Sequence, residues 1–512
     1  MSAEATILLA VAVPLVAAVL IVLAGSRPNL REGVTLAAAA ILFGLVASLF
    51  PAVFAGGRPA VVLGEMLPGL AIAFEVEPLG MLFAGVASFL WLVTSIYSIG
   101  YMRAHHEKNQ TRFYAYFAIA LASTMGVAFA GNMLTLFVFY EVLTLCTFPL
   151  VTHHGTEEAK RAGRVYLGVL LGTSIGLQLF AIVWTWTMTG TLDFRPGGIL
   201  AGKAAGPTVG ILLALYVFGI GKAAIMPLHR WLPAAMVAPT PVSALLHAVA
   251  VVKVGVFTVL KVIVYIFGVD FLAQAASGGW LLYVAGFTIV AASVVALRSD
   301  NLKRRLAYST VSQLSYVIMA AAILTPLSAM GAAFHIAAHA FGKITLFFCA
   351  GSILVASHKT LVSELDGIGR RMPWTMAAFA IGALSMVGIP PTVGFVSKWY
   401  ILRAAMEAEQ TFAVAVIVLS TLLNAAYFLP IVYAAFFRAE AAETAAAGGR
   451  ARGAEAGDGG TPRHHGHRRE GHGEAPLCVV LALTISAAGT LLLFFFPDLP
   501  FALARQLAGG AG

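Results

Sequence analysis

One glutamate and five lysines stand inside stretches of this chain that are otherwise apolar. Glu141 lies in NMLTLFVFYEVLTLCTFPLV, Lys222 in YVFGIGKAAIMPLHRWLP, and Lys253 and Lys261 in PVSALLHAVAVVKVGVFTVLK. Lys343 lies in FHIAAHAFGKITLFF and Lys398 in GIPPTVGFVSKWYIL. An ionisable group in mid-membrane costs ~2.5–3.5 kcal/mol on insertion scales, so it faces a partner charge, water or a bundle interior and marks a transport path by default. The chemistry that suits carboxylate, amine and imidazole together is proton transfer, since imidazole and a desolvated lysine both exchange protons near neutral pH. Glu141 is about ten residues, or ~15 Å of helix, from either end of its stretch, too deep to reach the interface.

Spacing sorts the other candidates. His335, His339 and Lys343 recur at i, i+4 and i+8, which lines them up near one face of a helix. Either histidine alone could serve only to bond neighbouring helices; Lys343 gives the stripe the character of a relay. Lys253 follows His247 by six residues, so the two project ~120° apart and do not share a partner. Lys253 is the relay candidate, His247 a possible support, and Lys261, two turns further on, is expected to snorkel to the interface. Tyr308, Ser312, Gln313, Ser315 and Tyr316 could line a wet path or knit helices together.

The elements that position these groups follow from composition: 512 residues, 60% hydrophobic and 11% charged, with a mean hydropathy of +0.90. A bilayer span needs ~20 mostly apolar residues, and this chain holds about fourteen such runs: 6–24, 34–54, 79–100, 113–130, 132–151, 165–189, 207–226, 241–267, 278–297, 305–325, 327–356, 374–402, 411–437 and 476–496. Of the 32 lysines and arginines, 22 fall in loops after odd-numbered spans and five in loops after even-numbered spans or the tail. That bias puts the odd loops in the cytoplasm and both termini outside. The first run has no basic leader and no cleavage site, and is taken as a span.

Two runs cannot be continuous helices. Lys222 follows Gly219-Ile220-Gly221 and precedes Pro227 and Pro233, while 374–402 would make a helix of ~44 Å around Pro390-Pro391, against a hydrocarbon core of ~30 Å. Two broken helices, each with a lysine, in corresponding places predict an inverted-repeat transporter with its path at the midplane. The Gly219-Ile220-Gly221-Lys222-Ala223-Ala224 run fits a nucleotide-binding fingerprint but lies in a span without a preceding strand. Cys146, Cys349 and Cys478 lack ligand or disulfide spacing. No cofactor, metal or nucleic-acid site is expected, and any driving energy must come from an ion gradient or a partner subunit. Residues 439–475, rich in Ala, Gly and charge, read as a disordered cytoplasmic loop in which His464, His465, His467 and His472 solvate.

The stretches FYEVLTLCTFPLV, GIGKAAIMPLHRWLPAAMVAPTPVSALLHAVAVVKVGV, HIAAHAFGKITLFFCAGS and GIPPTVGFVSKWYIL resemble the antiporter-like, proton-translocating subunits shared by Mrp-type sodium/proton antiporters and respiratory complex I. The resemblance implies an all-α polytopic membrane protein: helices 1–3 (1–112), two inverted five-helix repeats (113–267 and 278–437) with broken helices 7 and 12, and a last helix with its tail (476–512). It also implies that Glu141 and Lys222 pair, that Lys253, His339 and Lys343 form the central relay, and that Lys398 is the last carrier. Lys398 is similar to the Mrp D-type subunit and the distal complex I subunit; the distal one continues into a long lateral helix, whereas ~16 residues follow the run 476–496 here, so the D-type is the expected match. The expected role is proton conduction in a multisubunit Na⁺/H⁺ antiporter of the inner membrane, with other membrane subunits as partners. The alternatives are a pumping subunit of complex I or a membrane-bound hydrogenase, and a non-conducting scaffold.

Overall fold

The computed structural model describes residues 2–439 and 473–509. Most of the loop 439–475, with His464, His465, His467 and His472, lies outside the described residues. Among the described residues ten helices are long and apolar enough to cross a membrane, from Ala3–Leu23 and Pro28–Phe54 at the start to Thr411–Phe437 and Leu477–Phe495 at the end. The shorter apolar helices Pro207–Gly219 and Pro373–Val387, and the more polar Gln110–Ala128 and Leu302–Ala322, occupy the remaining runs of the sequence.

The two breaks occur where glycine and proline stand. The Pro207–Gly219 helix stops before a tight turn at Gly221–Ala223, and the helical path resumes at Trp231. The Pro373–Val387 helix ends on Gly388, whose φ of +90° suits only glycine, and a second half-helix begins at Val393. Bends of a gentler kind come from π turns at Ser174–Gln178, Leu245–Val249 and Val262–Phe267, where side chains slip out of the 3.6-residue register.

Packing is densest around two helices. Every residue of the most apolar stretch of Thr240–Phe267 is buried, and so is most of Pro326–Ser357, which lies against both half-helices of the second break. Outer helices such as Ala3–Leu23 leave leucines and valines exposed, as a lipid- or subunit-facing surface requires. The sequence pass did not anticipate two elements: an antiparallel hairpin, Ala60–Leu67 with Leu70–Glu75, and an amphipathic helix, Asp498–Gly509, which seats Phe501, Leu503, Ala504 and Leu507 against the bundle.

One expectation is overturned. Lys261 does not snorkel: it is fully buried, its ammonium donating to the Ala130 carbonyl at 2.7 Å and lying 3.5 Å from Glu77. Thr240–Phe267 runs on past Lys261, and Glu77 arrives from another helix start, where its carboxylate accepts from the amides of Leu79 and Gly80 and from the Tyr265 hydroxyl.

Candidate functional site

Gly219 and Gly221 allow the first break to press on the Ser174–Gln178 turn: a Cβ on Gly219 would meet the Gln178 amide nitrogen at 2.4 Å, and one on Gly221 would meet Thr173 Oγ1 at 2.3 Å. Between them and Pro227, Lys222 is held fully buried. Its ammonium donates to the Tyr140 carbonyl at 2.8 Å and to the Thr144 hydroxyl, 3.2 Å above the Tyr140 ring. The Lys222 amide donates to Tyr140 Oη at 3.2 Å, and Trp231 Nε1 donates to the Gly221 carbonyl at 3.0 Å.

Glu141 is next in the chain to Tyr140, yet among the described residues no ion pair within 4.0 Å joins it to Lys222. Glu141 and Lys222, implied by the resemblance to pair, stand apart in this structure: the ammonium takes the carbonyl and hydroxyl on one face of the Met133–Val151 helix, while Glu141 is half-buried beside it. Its carboxylate still attracts Lys222 at longer range, and its Oε1 is buried without a hydrogen-bond partner.

From the turn at Lys222 the site passes to the central helix. A Cβ on Gly255 would lie 2.3 Å from Ala223 N and from Lys222 C, so this close seat requires glycine. Half a turn away, Lys253 Nζ lies 2.6 Å from His339 Nδ1, both groups buried. His339 stands beside His335 with ring centroids 6.1 Å apart and planes 28° from parallel. The Nε2 atoms of both rings are buried without partners. His335 Nδ1 lies 2.9 Å from Ser397 Oγ.

Lys398, the next residue, is aimed at the end of the broken helix and donates to the Met386 and Val387 carbonyls at 2.7 and 3.2 Å. Carbonyls at a helix C-terminus carry the negative end of its dipole and favour a cation there. Lys398 also borders a cleft of ≈ 260 Å³ with Gly388, Trp399 and Thr421. From the Met386 carbonyl the hydrogen bonds turn back: Gln313 Nε2 reaches it at 3.4 Å and Asn424 Oδ1 at 3.3 Å, and Asn424 accepts from the Tyr427 hydroxyl. Tyr427 meets Ser309 Oγ at 3.0 Å, and Ser309 accepts from Lys343 at 2.7 Å. Lys343 also donates to the Leu306 carbonyl.

Lys253 with His339, His335 with Ser397, and Lys343 with Lys398 through Ser309, Tyr427, Asn424, Gln313 and the Met386 carbonyl thus form three buried polar groups side by side, while Lys222 with Tyr140 and Thr144 is a fourth. His247 stands apart: its ring is 4.6 Å from that of Phe347, and both its nitrogens are buried without partners. Of the uncharged residues singled out from sequence, Gln313 is part of the group that joins Lys343 to Lys398, while Ser312 bonds Ser293 across two helices at 3.0 Å. The sequence pass missed Ser309, Asn424, Tyr427 and Ser397. Asn424 carried a signal, an amide inside the apolar run 411–437, where such a group needs a partner.

Comparison with known proteins places the chain. The family described as NADH:quinone oxidoreductase/Mrp antiporter, TM, matches residues 130–424, and the N-terminal family of complex I chain 5 matches residues 69–114. The NADH-quinone oxidoreductase subunit N of Desulforudis audaxviator is 32% identical over 425 residues, covering 81% of this chain and 82% of that protein. The NAD(P)H-quinone oxidoreductase chain 5 of Synechocystis and the hydrogenase-4 component B of Escherichia coli are each 31% identical. The chain spans about half the length of those two relatives, 51% and 52%. Among solved structures, a chain of the Mrp complex from Dietzia shares the fold with a TM-score of 0.84 at 24% identity, covering 99% of this chain and 97% of that one. A chain of an archaeal membrane-bound sulfane sulfur reductase follows with a TM-score of 0.81 at 23% identity.

Proposed function

The chain belongs to the NADH:quinone oxidoreductase/Mrp antiporter family of multi-pass membrane subunits, and from that premise we propose that it conducts protons through the bilayer midplane along its Glu141, Lys222, Lys253, His339, Lys343 and Lys398 row. The observation that carries this reading is the 2.6 Å contact of Lys253 with His339, continued through His335 and Ser397 to Lys398. A lysine and an imidazole at that distance share one proton. The Nε2 atoms of His339 and His335 are buried without partners and so are free to take up and pass a proton toward Lys398 beside the cleft.

Lys222 is the loading end of this account. With its ammonium on the Tyr140 carbonyl and Thr144 it waits apart from Glu141; closing that pair holds a proton on the lysine, and opening it releases the proton toward Lys253. The halves 113–267 and 278–437 act as two inverted repeats, each with its break. In this reading the chain is one subunit of a multisubunit Na⁺/H⁺ antiporter in the inner membrane, with both termini outside and other membrane subunits around it.

A second reading has the same row driven by electron transfer in a separate arm, as the relatives named for NADH-quinone oxidoreductase and hydrogenase suggest. Purifying the complex from its native membrane separates the two. Companions that are all small membrane proteins, without flavin or iron–sulfur absorption, support the antiporter; iron–sulfur subunits support the pump. Glu141→Ala and Lys222→Ala are expected to abolish proton movement while the chain still inserts, and full activity in both overturns the reading.

A further inference from the structure

On the face that carries the basic loops, away from the midplane row, a carboxylate is surrounded by imidazoles. Glu107 lies in the short loop after the Pro78–Ala104 helix, with its side chain only 7% exposed. Its oxygens lie 4.0 Å from His105 Nε2, 3.8 Å from His153 Nε2 and 3.7 Å from His154 Nδ1. His105 and His154 are about one-third exposed and can meet bulk water. His153 is sealed in at 2%, with both ring nitrogens lacking a hydrogen-bond partner, and its loop is pinned by Arg112, which donates to the His153 carbonyl at 2.8 Å.

Lys303, at the start of the Leu302–Ala322 helix, acts electrostatically on Glu107 on one side and on His247 on the other. Its ammonium donates to the Ala238 carbonyl at 2.6 Å, in the segment that follows the first break. His247, buried and without partners, also feels the charge of Lys343, a member of the central row. A fixed structural anchor would close these contacts with hydrogen bonds; here, among the described residues, no imidazole comes nearer than 3.7 Å to the Glu107 carboxylate.

We propose that Glu107 with the imidazoles of His105, His153 and His154 forms a proton-collecting site on the basic-loop face, from which the chain draws the protons it moves. The inference rests on the proton-conducting reading above and adds an inlet to it. Burial pushes the Glu107 carboxyl up and the His105 and His153 imidazoles down, the latter to about 4, which brings carboxylate and imidazole closer in proton affinity. The charged or titratable neighbours are Lys303 and Tyr101 facing Glu107, Arg112 and the backbone of Lys108 facing His153, and Tyr101, His106 and His358 facing His105.

The test uses the whole complex in everted membrane vesicles, where the cytoplasmic face meets the bath, and reads the initial rate of proton movement as bath pH is varied. Removing the Glu107 charge weakens proton holding by the imidazoles, so Glu107→Gln shifts the half-maximal pH down by roughly half a unit or more, with the low-pH rate retained. His154→Gln, at a position about one-third exposed, shifts the profile in the same direction as Glu107→Gln. Lys108→Gln, an exposed control in the same loop, leaves the profile unchanged. Unaltered profiles in Glu107→Gln and His154→Gln, with Lys222→Ala dead, overturn the inlet and leave the conduction reading standing. Absence of chain-dependent proton movement in the wild type overturns both.

Discussion

Replacing Lys261 by methionine strips the counter-charge from a carboxylate that the fold has sealed in. Glu77 is 3% exposed and Lys261 0%, with 3.5 Å between ammonium and carboxylate. At an effective dielectric constant of ~20 two unit charges at that distance attract by ~5 kcal/mol. Breaking a buried pair from one side costs ~3–5 kcal/mol, because the remaining charge is left in a poor solvent. Glu77 would keep the Tyr265 hydroxyl at 2.9 Å and the Leu79 and Gly80 amides at 2.7 and 2.8 Å, which argues for the lower end, about 3 kcal/mol. Glu77→Gln should cost a similar amount, since it strands the ammonium beside the Ala130 carbonyl. Glu77→Gln with Lys261→Met should then cost clearly less than the sum, with a coupling of ~2 kcal/mol or more. Unfolding free energies of the wild type and the three variants from detergent titration give the cycle. Additive losses would refute the claim that these two charges hold each other.

Three further outcomes follow from the same contacts. Gly255→Val puts a Cβ 2.3 Å from the backbone at Ala223 and Lys222, which cannot give way as a flexible side chain would; a loss of ~1–3 kcal/mol and a slowed proton rate are expected, measured by thermal unfolding and vesicle flux. Asn424→Leu cuts the link from Gln313 to Tyr427 and should slow proton movement several-fold without blocking insertion, checked by flux normalised to the amount of assembled chain. Burial first, then the charges of Arg112 and His154, hold the His153 imidazole down to about 4, whereas an unfolded histidine titrates near ~6.5. Between those values the unfolded chain binds a proton that the folded chain does not, so stability is full above ~6.5 and falls as pH drops toward 4. His153→Gln should flatten that fall in a series of thermal midpoints against pH, and an unchanged slope would contradict it.

The spans and both breaks could be read from the sequence because each left a strong local mark: long apolar runs, the arginine and lysine bias of the loops, and glycine with proline beside Lys222 and Lys398. The groups that connect the lysines left weaker marks. Ser309, Asn424 and Tyr427 are uncharged, so a search for charges in apolar runs passes over them, and their value comes only from meeting Lys343 and Gln313 across helices. Lys261 was misjudged because its partner, Glu77, sits 184 residues earlier at a helix start, outside any apolar run. The open arrangement of Glu141 and Lys222 depends on which way an ammonium turns between a carbonyl and a carboxylate, a choice that spacing does not encode. The hairpin Ala60–Leu67 with Leu70–Glu75 fell in a loop between spans, where a count of apolar runs registers nothing.

The central claim is that the buried lysines work by giving up and regaining a proton, and Lys→Arg variants test it most directly. Arginine keeps the positive charge but does not deprotonate in proteins. Proton flux should therefore be measured in vesicles that carry the complex with Lys253→Arg or Lys398→Arg, beside Lys→Met at the same positions. The account predicts that arginine stops flux as completely as methionine while assembly of the complex persists. Flux near the wild-type rate in both arginine variants would contradict it and would make these lysines fixed charges that only hold the helices together.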